Sequence, residues 1–202
     1  MRITRSICKF AVVALLCLIW PVAALAQDEP AAGKKSFGPR VNQVPAAPPP
    51  ADVVATHGAW QIQCGAAQAA DGTIDPAGKK QCGMVQVTRN EKNEKVVLSL
   101  IIVKAKQNDK DVTMMRVMVP IGVYLPTGVA LEIDGEAVGR VPFTRCRPQI
   151  CEAFAEASPP TLEKLKLGGV ANFIIYEAPG LGMPMKISLE GFSAGLTQLN
   201  DL

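Results

Sequence analysis

Alternation of apolar and polar residues with a period of two dominates the chain beyond residue 58. Trp60-Gln61-Ile62-Gln63-Cys64 and Cys82-Gly83-Met84-Val85-Gln86-Val87 each place one apolar face toward a core, which predicts two half-buried strands. The charged run Arg89 to Lys95 reads as a turn into an apolar strand over 96–104. Gln107-Asn108-Asp109-Lys110-Asp111 is the next turn, before a strand from Val112 to Val119. Val129 to Ile133, then Asp134-Gly135, then Ala137 to Phe143 predicts a tight hairpin, because Asp-Gly readily adopts the positive φ angles of a two-residue turn. Further strands are expected over 152–156, 170–176 and 185–189. About nine short strands between turn signals predict an all-β fold, an immunoglobulin-like antiparallel β-sandwich. Helix is scarce. Ser158 before Pro159-Pro160 marks a capped start for a short helix through Lys166, ended by Gly168-Gly169, and Phe192 to Leu199 predicts a second.

Before residue 58 the pattern changes twice. Residues 1–26 have the three parts of a cleaved signal peptide: basic Arg2, Arg5 and Lys9, an apolar stretch from Phe10 to Trp20, and Ala24-Leu25-Ala26 before Gln27. That stretch is well short of the roughly 20 apolar residues that cross a bilayer, so export with cleavage after Ala26 is expected rather than anchoring. No later segment of the mature chain has the length and apolarity of a transmembrane segment. Residues 27–57 carry prolines at 30, 39, 45, 48, 49 and 50 and almost no large apolar side chains, which predicts a disordered, semi-rigid Pro/Ala-rich spacer. The folded domain is then expected over 58–202, long enough to bury roughly two-thirds of its extended-chain surface.

The leader also changes the charge. The formal charge of +3 comes from 21 Lys and Arg against 18 Asp and Glu, and three of the basic residues but none of the acidic ones lie in the first 26. The mature chain is therefore neutral and lacks the clustered basic excess that nucleic-acid phosphate requires. Of six cysteines, Cys8 and Cys17 fall in the leader, leaving Cys64, Cys82, Cys146 and Cys151. In an oxidising compartment an even set reads as disulfides. Three pairings are possible; Cys64–Cys82 with Cys146–Cys151 is favoured because each closes a local loop between strand-like segments, contributing roughly 3 and 2 kcal/mol by chain entropy.

Candidate chemistry is thin. His57, the single histidine, ends the expected spacer and reads as a solvated linker residue. Glu132, Asp134 and Glu136 are spaced by two and offer an acidic pair or calcium site, against the plainer reading of a strand's solvated face. Methionines at 84, 114, 115, 118, 183 and 185 are soft ligands but read as core. The cysteine pairs lack zinc-knuckle spacing, and Cys146 and Cys151 are separated by four residues where dithiol oxidoreductases use two. No cofactor or metal is expected. Arg145 and Arg147, with Arg140 and Arg116, suggest a basic patch near the second cysteine pair. Together with the loop at Leu125-Pro126 this patch is the candidate partner surface.

These elements, in order, resemble the invasion-associated locus B family of exported alphaproteobacterial proteins. The resemblance rests on Trp60-Gln61-Ile62-Gln63-Cys64, Cys82 with Met84-Val85-Gln86, Val119-Pro120 leading to Tyr124-Leu125-Pro126-Thr127-Gly128-Val129, Pro142-Phe143-Thr144-Arg145-Cys146, Cys151-Glu152-Ala153, and Ile187-Ser188-Leu189-Glu190-Gly191-Phe192. It implies a two-disulfide β-sandwich in the periplasm or at the outer-membrane surface, with no known enzymatic activity and no assigned active residues. The function expected is that of a non-enzymatic cell-envelope binding module whose partner is an envelope or host-surface protein. The alternative is a redox or metal-dependent periplasmic enzyme using Cys146 and Cys151.

Overall fold

Eleven strands and two helices are formed among the residues described by the computed structural model, 51–66 and 80–202. The expected leader and residues 27–50 of the expected spacer lie outside them. In chain order the strands are β1 (Asp52–His57), β2 (Trp60–Ala66), β3 (Lys80–Arg89), β4 (Val97–Gln107), β5 (Lys110–Pro120), β6 (Val129–Ile133), β7 (Glu136–Val141), β8 (Phe143–Cys146), β9 (Ile150–Glu156), β10 (Val170–Ala178) and β11 (Leu181–Ser188); the helices are α1 (Pro159–Leu167) and α2 (Phe192–Asp201). They make a seven-stranded sheet of order β1-β2-β3-β4-β5-β9-β8 and a four-stranded sheet of order β11-β10-β6-β7, and every pairing is antiparallel. The expected all-β sandwich is thus formed. Its two additional strands come from places where period-two patterning carries no signal.

The first is β1, which corrects the expected spacer boundary: ordered sheet begins at Asp52, six residues before Gly58. Val53 and Val54 remain about half exposed, at 54% and 50%. The strand is held by its backbone ladder, from Asp52 opposite Cys64 to His57 opposite Trp60, rather than by a buried face. The second arises at Pro142. The stretch read as one strand over 137–143 is instead β7, paired with β6, and β8, paired with β9 in the other sheet. Proline has no N–H to give a ladder, so the chain changes sheets there. Gly128 permits the crossing: its φ is +73°, and a Cβ at this position would lie 2.2 Å from the Val141 carbonyl oxygen.

The inner faces meet in one core. Trp60, Ile62, Met84, Leu98, Leu100 and Ile102 from the large sheet are fully buried or nearly so, as are Phe173, Ile175, Met185 and Ile187 from the small one. Four strands cannot cover seven, and α2 fills the remainder. Phe192 meets Trp60 edge-on with ring centroids 5.3 Å apart, Gly195 packs on Met84, and Leu196 and Leu199 are buried beside them. The margin at β11 is closed by side chains. Gln86 Nε2 donates to the Ser188 carbonyl and Gln86 Oε1 accepts from Ser188 N–H (2.8 and 2.9 Å), while Asn90 Nδ2 donates to the Pro184 carbonyl. These amides take the place of a neighbouring strand on an otherwise open edge.

Both expected disulfides are present, each joining residues directly opposite one another, Cys64–Cys82 across β2 and β3 and Cys146–Cys151 across β8 and β9. The first closes 18 residues and the second 5. Replacing the first pair with serine should lower unfolding free energy in urea by about 3 kcal/mol and replacing the second by about 2 kcal/mol. Two variants as stable as the parent would refute the loop-closure account.

Candidate functional site

The second half of strand β5 is apolar, yet it carries Arg116 in the run Met114-Met115-Arg116-Val117-Met118. Strand β9 is similar, with Glu152 between Cys151 and Ala153. Alternation turns both charges away from the core, because Val117, Cys151 and Ala153 point inward. Glu152 nevertheless has no exposed surface. Three arginines roof it: Arg116 Nη2 donates to Oε1, Arg145 Nε donates to Oε2, and Arg147 Nε lies 3.7 Å from Oε2.

The hairpin β8–β9 sets this geometry. Cys146–Cys151 ties its arms, and Arg147 N–H donates to the Ile150 carbonyl at 2.7 Å, so Arg145 and Arg147 are presented from a short constrained turn. Phe154, the next outward residue on β9, lies under two of the guanidiniums, with Arg116 at 5.7 Å and Arg145 at 6.0 Å from its ring centroid. Arg116 Nε is buried without a hydrogen-bond partner. The three arginine side chains keep 29%, 44% and 45% of their surface exposed, so the cluster is an ion-pair network with one carboxylate inside and guanidinium edges outside.

Burial alone would raise the Glu152 carboxyl, but hydrogen bonds from Arg116 and Arg145 and the charges of both outweigh it and hold the group below the ordinary carboxylate range. A carboxyl lowered by folding adds stability above its unfolded pKa and loses it as pH falls through the folded value. The parent should therefore exceed Glu152→Gln in stability at pH 7, and the two should converge once the pH falls well below about 4. Urea titrations at neutral and acid pH check this, and a gap unchanged by pH would contradict it.

The other candidates disperse. Leu125 and Pro126 lie in a 3-10 turn (Leu125–Thr127), with Leu125 exposed; the preceding Tyr124 N–H donates to the Tyr176 carbonyl of β10, so the turn is tied to the four-stranded sheet. Arg140 leaves the expected four-arginine patch and stacks on Tyr176 at 5.5 Å. His57 is not a solvated linker residue: it is half-buried in β1, with Nε2 on Gln198 Oε1 of α2. The acidic hairpin is no cluster, since Asp134 accepts from the Gly169 and Val170 N–H groups and Glu136 pairs with Lys164. Met84, Met115 and Met185 are core, and Met114 and Met118 face outward on β5. Among the described residues no three His, Cys, Asp or Glu side chains gather as metal ligands, and no helix is long and apolar enough to cross a membrane. Two hollows accompany these features. One of about 460 Å³ lies beside the β3–β4 turn at Asn90 and Lys186, and an apolar one of about 170 Å³ lies between the sheets at Met115, Leu131 and Phe173.

Glu152 was the member of this cluster hidden from sequence reasoning. Its signal was available, as one charge of each sign inside the apolar runs Met114 to Val119 and Ile150 to Ala155. Recognising the partnership required knowing that β5 and β9 are neighbours although Arg116 and Glu152 are 36 positions apart in the chain.

The model of the invasion associated locus B protein family matches residues 60–200 of the chain. The invasion protein B homologues of Brucella abortus strain 2308 and of biovar 1 strain 9-941 are each 33% identical over 86 residues, which is 42% of this chain and 50% of theirs, so the match spans about half the length of these relatives. The crystal structure of invasion associated protein B from Bartonella henselae superposes with a TM-score of 0.55 at 26% identity, covering 73% of this chain and 94% of that one.

Proposed function

Because the chain belongs to the invasion-associated locus B family, we propose that it is an exported, non-enzymatic binding module of the cell envelope. Its partner in this reading is another envelope protein or, in an invading bacterium, a host-surface protein. The observation that carries the reading is the arginine network around Glu152. It offers fixed guanidinium edges on an open sheet face, held by a disulfide-closed hairpin, and such preorganised charge favours recognition over bond-making. The enzymatic alternative would have to use Cys146 and Cys151, whose sulfurs are joined to each other. The signal-like leader supports a place in the periplasm or at the outer-membrane surface.

Protease shaving of intact cells, with a periplasmic control protein and an antibody to the domain, tests the location. Cleavage on intact cells makes an external ligand the target of the search, and protection until the outer membrane is opened makes it an envelope component. A domain that stays in the cytoplasm would overturn the reading. So would bound metal or free thiols coupled to turnover in the purified protein.

A further inference from the structure

The arginine network is one end of a larger surface. The outward face of the seven-stranded sheet should be polar if it only met water, since one-sided sheets alternate apolar inward with polar outward. Here it is largely aliphatic. Val85 of β3 stands opposite Ile101 of β4, which stands opposite Arg116 of β5; in the adjacent rows Val103 meets Met114, and Ser99 lies between Val87 and Met118. Val87 is 57% exposed. Both helices leave this face alone: α2 packs on the inner side through Phe192 and Gly195, and α1 makes its helix contact with α2. No described element covers the strip.

We infer that this face, from β3 across to β9, is where the domain holds its partner, and that the partner presents an acidic segment with interleaved apolar side chains. The inference rests on the binding-module reading above and gives it an address and a chemistry. Charge complementarity selects the occupant. Three guanidiniums face one carboxylate, which leaves two positive charges in excess, and Arg145 and Arg147 each keep nearly half of their side-chain surface exposed. Their planar donors suit carboxylates in bidentate pairing. The aliphatic strip supplies the dry centre, and arginine beside an apolar patch is the composition of protein–protein contact centres. A lipid surface fits less well, because the strip lies flat in a sheet and presents no Trp or Tyr to anchor at the interface.

Two measurements test this on the full mature chain. The first uses a random glutamate–tyrosine copolymer as probe, with polyglutamate, polylysine and phosphatidylglycerol vesicles beside it. The copolymer should bind best, Arg147→Glu and Val87→Glu should each weaken it about tenfold or more through like-charge opposition, and Lys186→Glu on the outward face of the other sheet should leave it within about twofold. Equal loss with Lys186→Glu, no loss with the first two, or preference for the vesicles would overturn the assignment. The second places a photocrosslinking residue at Val87 or at Leu125 in the exported protein in cells. Adducts at Val87 to an acidic, apolar-interleaved segment, lost with Arg147→Glu, support it. Reproducible adducts at Leu125 alone, or at Val87 to a neutral or basic segment, overturn this surface and leave the binding module standing. Adducts at neither position bring down both.

Discussion

Arg116→Met should lower the stability of the domain by about 3 kcal/mol, the lower end of what breaking a buried ion pair costs, because Arg145 and Arg147 remain to hold part of the charge. In a domain of this size that corresponds to a fall of about 10 °C in Tm. The reason is the position of Glu152. It has no exposed surface and receives a direct hydrogen bond from Arg116, so the carboxylate left behind cannot turn to water without opening the sheet face. Changing both residues should behave differently. Arg116→Met with Glu152→Met removes the charge and its partner together, and a well-packed apolar replacement of an ion pair is often neutral; the double variant should return to within about 1 kcal/mol of the parent. Thermal and urea unfolding of the parent, of Arg116→Met and Glu152→Met singly, and of the double variant closes the cycle, and an Arg116→Met protein as stable as the parent would show that Arg116 is dispensable to the carboxylate.

Trp60→Ala should do still more harm, about 3–5 kcal/mol. Trp60 is fully buried, stacks edge-on with Phe192, and donates from Nε1 to the Ser188 carbonyl at 3.0 Å. It thus joins β2, β11 and α2 at one point. Trp60→Phe divides the cost: a phenyl ring can keep the edge contact with Phe192 while the N–H and the volume of the second ring are lost, and since Gln86 still donates to the same carbonyl the loss should be about 2 kcal/mol, between the parent and the alanine variant. Trp60 is one of two tryptophans, and the other, Trp20, lies in the expected leader, so unfolding must be followed by circular dichroism. An alanine variant that loses less than the phenylalanine one would refute the packing account.

The contrast between these sites shows what the sequence made legible. Trp60, Ile62 and Met84 could be placed in the core because alternation marks an inward face on each strand, and the Asp134-Gly135 hairpin could be placed because its turn demands positive φ, found at +48° and +85°. Both cysteine pairs followed from loops local in sequence. β1 could not be read, since its residues bury little and it exists mainly through backbone pairing with β2. The turnover at Pro142 was hidden because a residue that ends one ladder and begins another looks the same as a residue within one. The arginines at 145 and 147 were visible as charge, but the carboxylate that organises them sits on a strand whose neighbour in space is distant in sequence. Long-range strand order is set by the summed packing of the core, and periodicity carries none of it.

The change of sheet at Pro142 has a bearing on how the domain comes apart. β7 and β8 are consecutive and belong to different sheets, while at the opposite margin Gln86 bonds to both backbone groups of Ser188. The two sheets are thus fastened along both sides, and neither margin is free to act as a seam. Amide hydrogens of β6 and β10 should therefore exchange with deuterium only through the same global opening that releases those of β4 and β5, as one foldon rather than two.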